Sequence, residues 1–320
     1  MGLYDYEVHD YIYRVRKKDP TLTFINLNEY GYKVVIKLIR CLLVNTFVTS
    51  LHVGCTRIGA KGVVALSKVL QVNTTLREVS LYRTNIGDEE AIALAKSLHG
   101  NFFLTTLHLH FNHIGPKGAI ALASALQVNT ALKRLSLANN EIGDEGAIAL
   151  ANVLYTNNTL LYLDVDNNSM GPAGGMALAN VLFENTSLMA LFLDDNKIGD
   201  VGAMAFVTAL QINTTLKKLS MSDNNIGITS LSAFEKVIHA NYSLIVFNFK
   251  SNVESDMPEI RSLLERNSQQ WPLEYWQPAL HNTFLADAHA LITTTLLCGE
   301  LLPMRIWQLI FSFYQRSVFF

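Results

Sequence analysis

Cysteine is scarce in this sequence. Three of the 320 residues are cysteine, and Cys41, Cys55 and Cys298 lie far apart without any Cys-x-x-Cys pair. An odd number of scattered cysteines encodes neither a disulfide framework nor a thiolate zinc site. The sequence therefore predicts a protein of a reducing compartment, and we expect it in the cytoplasm.

Charge is also scarce and nearly balanced. Charged residues make up 16% of the chain, and 25 Lys and Arg stand against 27 Asp and Glu, for a formal net charge of −2. Such a chain has no general attraction for nucleic acid or for an anionic membrane surface. We therefore expect no nucleic-acid partner.

Long uninterrupted apolar runs and catalytic motifs are missing as well. Charged residues interrupt the two most apolar stretches, 34–44 and 291–313, so neither is expected to span a membrane. The first residues lack the basic start of a conventional export signal. No phosphate-binding glycine loop, Gly-x-Ser-x-Gly elbow or supported Cys/His pair occurs, so we expect no enzyme activity and no cofactor.

A 28-residue period runs through residues 48–252, with the unit L-x-x-L-x-L-x-x-N-x-I-G-x-x-G-x-x-A-L-x-x-x-L-x-x-N-T-x. Apolar residues two apart in its first half predict a strand. Leucines four apart in its second half, such as Leu122 and Leu126, predict one apolar stripe of a helix. An asparagine follows each of the later strands, and we call this set the asparagine column. Its side-chain amides are expected to form hydrogen bonds with backbone groups of neighbouring turns. The column comprises Asn112, Asn140, Asn168, Asn196, Asn224 and Asn252.

One strand and one helix cannot bury their own apolar faces, so the units must stack. We predict an α/β fold, a right-handed curved solenoid with a parallel sheet on its concave side and helices on its convex side. We expect residues 1–47 to form an N-terminal capping repeat whose strand is displaced by two residues. We expect residues 48–252 to form the solenoid and residues 253–320 to form a helical C-terminal region.

These repeats resemble the ribonuclease-inhibitor type of leucine-rich repeat, shared by ribonuclease inhibitor, the activating protein of the Ran GTPase and the sensor domains of NOD-like receptors. Their regular length and low cysteine content are similar in style to leucine-rich repeat effectors of intracellular pathogens such as Legionella. The resemblance implies a horseshoe that binds proteins. It also implies an effector that an unconventional secretion system translocates into a host cell.

The strand residues that alternate with the buried leucines predict a partner-binding surface on the concave side. Its early part carries basic and aromatic residues and its late part carries acids, so we expect a protein partner with a basic patch; the alternative is that the aspartates are ordinary solvated surface. His108 and His110 alone do not indicate a metal site. The candidate contact residues are Tyr82, Arg83, His108, His110, Phe111, Arg134, Tyr162, Asp164, Asp166, Phe192, Asp194, Asp195 and Asp223.

The period stops after Asn252, and the sequence predicts a helix from Pro258 to Asn267 with Ile260, Leu263 and Leu264 on one face. The chain's last part resembles the opening helix of an F-box, which docks onto the Skp1 adaptor of ubiquitin ligases. The alternatives are a helical cap, a dimerisation segment or membrane contact. The matching residues are Leu302, Pro303, Ile306, Ile310, Phe311 and Phe313.

Taken together, the sequence favours a noncatalytic protein-interaction scaffold. One alternative is a ubiquitin-ligase substrate adaptor, in which the repeats select a substrate and the tail recruits the ligase. A second alternative, by resemblance to the Ran activator, is a GTPase-activating protein.

Overall fold

The computed structural model describes residues 3–249 and 258–269, which belong to one unit, Met1–Gln270. In this part of the chain, nine three-residue strands form one parallel sheet in sequence order. The strands are β1 Phe24–Asn26, β2 Ser50–His52, β3 Glu78–Ser80, β4 Thr106–His108, β5 Arg134–Ser136, β6 Tyr162–Asp164, β7 Ala190–Phe192, β8 Lys218–Ser220 and β9 Val246–Asn248.

A helix follows each of these strands, and one more precedes β1. The helices are α1 Leu3–Arg16, α2 Tyr32–Cys41, α3 Gly59–Val72, α4 Asp88–Leu98, α5 Pro116–Leu126, α6 Gly143–Leu154, α7 Pro172–Val181, α8 Gly199–Leu210, α9 Ile228–Ala240 and α10 Pro258–Gln269, and a short 3-10 helix covers Leu42–Val44. Each helix packs against the next one along the chain. None of those in the described part has the length and apolar character of a membrane span.

The sheet register follows the sequence repeat. Leu107 lies opposite Leu135, an offset of 28 residues, whereas Ile25 lies opposite Leu51, an offset of 26. The displacement of the first strand by two residues is therefore present in the structure. Because helices are about 10 Å wide and strands are about 4.8 Å apart, the helices occupy the outside of the bend and the sheet its inside. The predicted α/β horseshoe is confirmed.

The strand and helix leucines form one continuous core. Leu107, Leu135 and Leu163 from the sheet and Leu122 and Leu150 from the helices are almost completely buried in it. Small residues on the helices, among them Ala119 and Ala147, are also fully buried and allow neighbouring helices to approach closely. Each repeat thus completes its core against its neighbours, as a solenoid requires.

Two columns of buried asparagines connect the repeats. In the predicted column, the Asn140 side chain donates from Nδ2 to the carbonyls of Leu109 (3.0 Å) and Leu137 (2.8 Å) and accepts at Oδ1 from the Ile114 amide (2.9 Å). A second column at the helix ends bonds backbone groups in the same way. It comprises Asn73, Asn101, Asn129, Asn157, Asn185, Asn213, Asn241 and Asn267.

Aspartates on α4, α6 and α8 cap the N-termini of the next helices, α5, α7 and α9. Asp144 Oδ1 accepts from the amides of Gly171 (2.7 Å) and Gly174 (2.8 Å), which start α7. Asp88 does the same for α5, and Asp200 accepts from the Gly227 amide and the Ser230 hydroxyl at the start of α9. Each cap therefore comes from the preceding repeat, and it satisfies amides that have no partner inside their own helix. The caps recur in every second repeat.

Replacing Asp144 with alanine should lower the free energy of unfolding by about 1 kcal/mol, the usual value of an N-cap side chain. The neighbouring Glu145 is exposed on α6, so Glu145→Ala should change stability by less than about 0.5 kcal/mol. Urea unfolding followed by circular dichroism measures both values. Equal effects of the two substitutions would contradict the role of Asp144 as an inter-repeat cap.

The helix predicted from Pro258 is present as α10. Its residues Ile260 and Leu263 are buried in the common core, and Leu264 packs against that core. Asn267 continues the second asparagine column by donating to the carbonyls of Asn241 (2.9 Å) and Leu244 (2.7 Å). Arg266 donates to the carbonyls of Ile238 and His239 at the end of α9. In this unit α10 therefore covers the last repeat.

Candidate protein-binding face

The concave side of the sheet, which we call the inner face, carries rows of side chains with one residue per strand. Residues in a row are 28 positions apart because the strands pair at that offset. Ser136 thus lies opposite Asp164, and Asp164 lies opposite Phe192. The late part of this face, on β6 to β8, differs in chemistry from the early part, on β2 to β4.

Three aspartates, Asp164, Asp166 and Asp194, form what we call the aspartate cluster. Asp164 Oδ2 accepts from the Ser136 hydroxyl at 2.7 Å. Asp166 Oδ1 accepts from the Asp194 amide at 2.7 Å, and Asp194 accepts from the Ser220 hydroxyl at 2.6 Å. The cluster is therefore held in place by hydrogen bonds across four neighbouring strands.

The carboxylates of the aspartate cluster lie in a poorly solvated environment. Burial raises the pKa of Asp164 to about 6, and the charge of Asp194 adds to it. Burial raises the pKa of Asp194 to about 6. The pKa of Asp166 is raised well above its usual value by burial and by the charges of both neighbours. Among the described residues, no lysine, arginine or histidine forms an ion pair with these three carboxylates.

An aromatic pair borders the aspartate cluster. The rings of Tyr162 and Phe192 are 4.9 Å apart at their centroids, and both are partly exposed. The first residues of β5 and β8, Arg134 and Lys218, are also half-buried on this face. Burial lowers the pKa of Lys218, and the charge of Arg134 lowers it further. Aromatic rings beside carboxylates suit a cationic side chain of a partner.

The early part of the inner face is organised around Glu78. Its Oε1 atom is 3.0 Å from His52 Nε2 and 3.8 Å from His108 Nε2. Burial alone would raise the pKa of Glu78, but the hydrogen bond from His52 and the charges of His52 and His108 lower it below its usual value. Burial lowers the pKa of His108 to about 4 and that of His110 to about 3. The imidazole rings of His108 and His110 are therefore neutral at neutral pH.

The prediction that Tyr82 is an exposed contact residue is wrong. Its side chain is 1% exposed, and its ring stacks on His110 with centroids 5.3 Å apart. The ring lies over Gly54 on the preceding strand, where a Cβ atom would come within 2.0 Å of it. Tyr82 therefore fills the space that the missing Gly54 side chain leaves. The small inner-face residues Ser80, Ser136, Ser220 and Ser222 are buried too.

The other candidate residues of the inner face retain exposed surface. Arg83, Phe111 and Asp195 are exposed. The half-buried ones are His108, His110, Arg134, Tyr162, Asp164, Asp166, Phe192, Asp194 and Asp223. Leu302, Pro303, Ile306, Ile310, Phe311 and Phe313, the candidates for adaptor binding, lie outside the described residues. Within residues 3–249 and 258–269, no three His, Cys, Asp or Glu side chains are arranged to hold a metal ion.

The pair of His52 and Glu78 was not among the candidate residues. The two are 26 positions apart, the same separation as Asp194 and Ser220, which are also hydrogen-bonded. In a solenoid with a 28-residue register, residues 26 apart are diagonal neighbours on adjacent strands. The signal that would have identified this pair is the occurrence, 26 positions apart, of two oppositely charged residues or of a hydrogen-bond donor and an acceptor.

Comparison with known proteins agrees with this geometry. The family described as Leucine Rich repeat matches residues 44–67, 72–95, 100–123, 128–151, 156–179, 184–207 and 213–234, just over half of the chain. No curated protein matches the sequence.

Two solved structures illustrate the similarity. One is actin-binding site 2 of leiomodin-1, with 20% identity and a TM-score of 0.44, covering 53% of this chain and 96% of that one. The other is the tropomodulin C-terminal domain of Caenorhabditis elegans, with 19% identity and a TM-score of 0.37, covering 56% of this chain and 92% of that one. From its seven matching repeats and its parallel sheet, this chain belongs to the leucine-rich repeat family.

Proposed function

We propose that this protein is a noncatalytic interaction scaffold that holds a basic segment of a protein partner against its inner face. The aspartate cluster is the observation that carries the proposal. Its carboxylates share one poorly solvated surface, with no ion-paired cation among the described residues. A lysine or arginine of a partner would supply the missing positive charge.

One further feature supports a basic partner, and the raised pKa values of the aspartates give its binding a pH dependence. The Tyr162 and Phe192 rings lie directly beside the cluster and offer an apolar surface to the stem of a lysine or arginine. A bound cation would also lower the raised pKa values of the aspartates, so binding would release protons. Affinity for such a partner therefore falls when the pH drops below about 6, where the carboxylates become protonated.

A random peptide display library, selected on the full chain at about pH 7.5, tests the proposal. We expect the selected peptides to be rich in lysine and arginine, and their binding to weaken with added salt and at about pH 5. The matched variant carries Asp164→Asn, Asp166→Asn and Asp194→Asn, which keep the shape and most hydrogen bonds but remove the charges. This variant should lose the preference for basic peptides.

A control variant, Glu184→Gln, removes one exposed charge outside the inner face and should select the same peptides as the unmodified protein. Selected peptides without basic residues, or equal binding by the triple variant, would refute the proposed function.

The cellular setting is part of the same proposal. The low cysteine content and the regular repeats support a scaffold that works in a reducing cytoplasm, as an effector translocated into a host cell; a translocation reporter fused to the chain tests this. The adaptor alternative depends on residues outside the described part of the chain. Capture of Skp1 by the full chain, and its loss without residues 296–320, would favour that alternative.

A further inference from the structure

One row of the inner face lies where the strands end, and we call it the strand-end row. From β2 to β8 it comprises Cys55, Arg83, Phe111, Asn139, Asn167, Asp195 and Asp223. All seven residues have left-handed backbone conformations, with φ between 47° and 56°. The amides of the first six, from Cys55 to Asp195, continue the ladder between repeats, as in the bond from the Phe111 amide to the Ala138 carbonyl (2.9 Å). The row therefore presents one residue per strand at regular intervals.

The residue types in this row change along the solenoid. Asparagine and aspartate tolerate left-handed conformations well, so they suit the positions on β5 to β8. Arg83 and Phe111 do not suit their positions, and a bulky residue such as phenylalanine is rare there. Backbone preference therefore does not account for these two residues.

Phe111 is supported by a stack of rings. It packs edge-on against His110, with centroids 5.8 Å apart, and His110 in turn stacks on the buried Tyr82 at 5.3 Å. Phe111 nevertheless remains 37% exposed. The adjacent Arg83 is exposed and forms no ion pair with any described residue. The early part of the row thus offers an apolar and a cationic contact side by side.

Charge is separated along the row. Arg83 on β3 is its cation, while Asp195 on β7 and Asp223 on β8 are acidic. Strands are about 4.8 Å apart, so four strand steps separate Arg83 from Asp195 by about 19 Å. An extended peptide rises about 3.3 Å per residue and covers that distance in about six residues. Outside the row, on the β1 side, the left-handed residue Glu29 lies two strands before Arg83.

We propose that the strand-end row recognises a dipolar partner segment that crosses the strands in an extended conformation. A carboxylate of the segment lies against Arg83, an apolar side chain lies against Phe111, and basic side chains lie against Asp195 and Asp223. This inference rests on the proposed function, since it keeps the basic residues of the partner segment and adds an acidic group to the same segment. It also specifies their separation, about six residues.

Two synthetic peptides of identical composition test the separation. In the first, a glutamate lies about six residues from a pair of lysines; in the second, it lies next to them. We expect the first peptide to bind the full chain about two- to fivefold more tightly in fluorescence anisotropy, the range for one exposed ion pair. Arg83→Ala should abolish this difference without removing the preference for lysines.

A second variant tests the apolar contact without destabilising the fold. Phe111→Asn suits the left-handed backbone, so its thermal midpoint should not fall. A peptide with leucine between the charged ends should bind the unmodified protein more tightly than one with serine there, and Phe111→Asn should remove this advantage.

The outcomes separate the two proposals. Equal binding of the two spacings, or a spacing preference that survives Arg83→Ala, overturns this inference and leaves the proposed function intact. A leucine advantage that survives Phe111→Asn overturns the apolar contact. If neither peptide binds better than a version with glutamine in place of lysine, both the inference and the proposed function are wrong.

Discussion

Replacing Asn157 with alanine is expected to lower the free energy of unfolding by about 2–4 kcal/mol. The Asn157 side chain is buried at the end of α6, and its Nδ2 group donates to the Leu126 carbonyl at 2.7 Å. Its Oδ1 atom accepts from the amides of Thr159 (3.0 Å) and Leu160 (2.9 Å). Alanine would leave these backbone groups buried without a partner, and each costs about 1–3 kcal/mol.

The next residue provides a matched control. Asn158 occupies the same loop but is exposed, so Asn158→Ala should change stability by less than about 0.5 kcal/mol. Urea unfolding measures both variants, and hydrogen exchange should locate the loss in the repeats on either side of Asn157. Comparable stability of the two variants would contradict the structural role of this asparagine column.

The second large effect concerns the aspartate cluster and pH. The pKa values of Asp164 and Asp194 are raised to about 6 in the folded state, whereas an unfolded aspartate has a value of about 3.9. Their contribution to stability is therefore complete below about pH 4 and is lost as the pH rises through about 6. The triple variant Asp164→Asn, Asp166→Asn, Asp194→Asn removes this loss. It should be more stable than the unmodified protein by about 1–3 kcal/mol at about pH 7.5.

The difference between the two proteins should shrink towards zero by about pH 4. His108 and His110 act in the opposite direction, because their lowered pKa values reduce stability as the pH falls below about 6.5. Both histidines are present in both proteins, so their effect cancels in the comparison. Unfolding curves at several pH values measure the difference, with Glu184→Gln as the exposed control. A triple variant that is less stable at neutral pH would contradict the burial of these charges.

The two effects have opposite signs for a physical reason. Asn157 satisfies backbone groups inside the solenoid, so its loss destabilises the fold. The aspartate cluster lies on the inner face with its charges poorly solvated, so its loss stabilises the fold. Residues that reduce stability at a surface are candidates for function, which agrees with a binding role for the aspartates.

The sequence alone determined the architecture of the solenoid. The 28-residue period, the strand leucines and the first asparagine column predicted the parallel sheet and its register, and the two-residue displacement of the first strand appears in the pairing of Ile25 with Leu51. The α10 helix was predicted as well. Such features are readable because each depends on contacts with the next, nearly identical repeat. The inner-face residues were located from the same alternation, and their contact with a partner stays a prediction.

The tertiary structure alone decided which inner-face groups are accessible and which are paired. Tyr82 is buried because Gly54 on the neighbouring strand leaves room for its ring. The tertiary structure also decides the contact of Glu78 with His52, the helix caps from Asp144 and its equivalents, and the left-handed conformation of the strand-end row. A repeat motif specifies what recurs at each position. Burial, pairing and pKa on a concave surface depend instead on the size, charge and backbone geometry of residues in adjacent repeats, which vary from one repeat to the next.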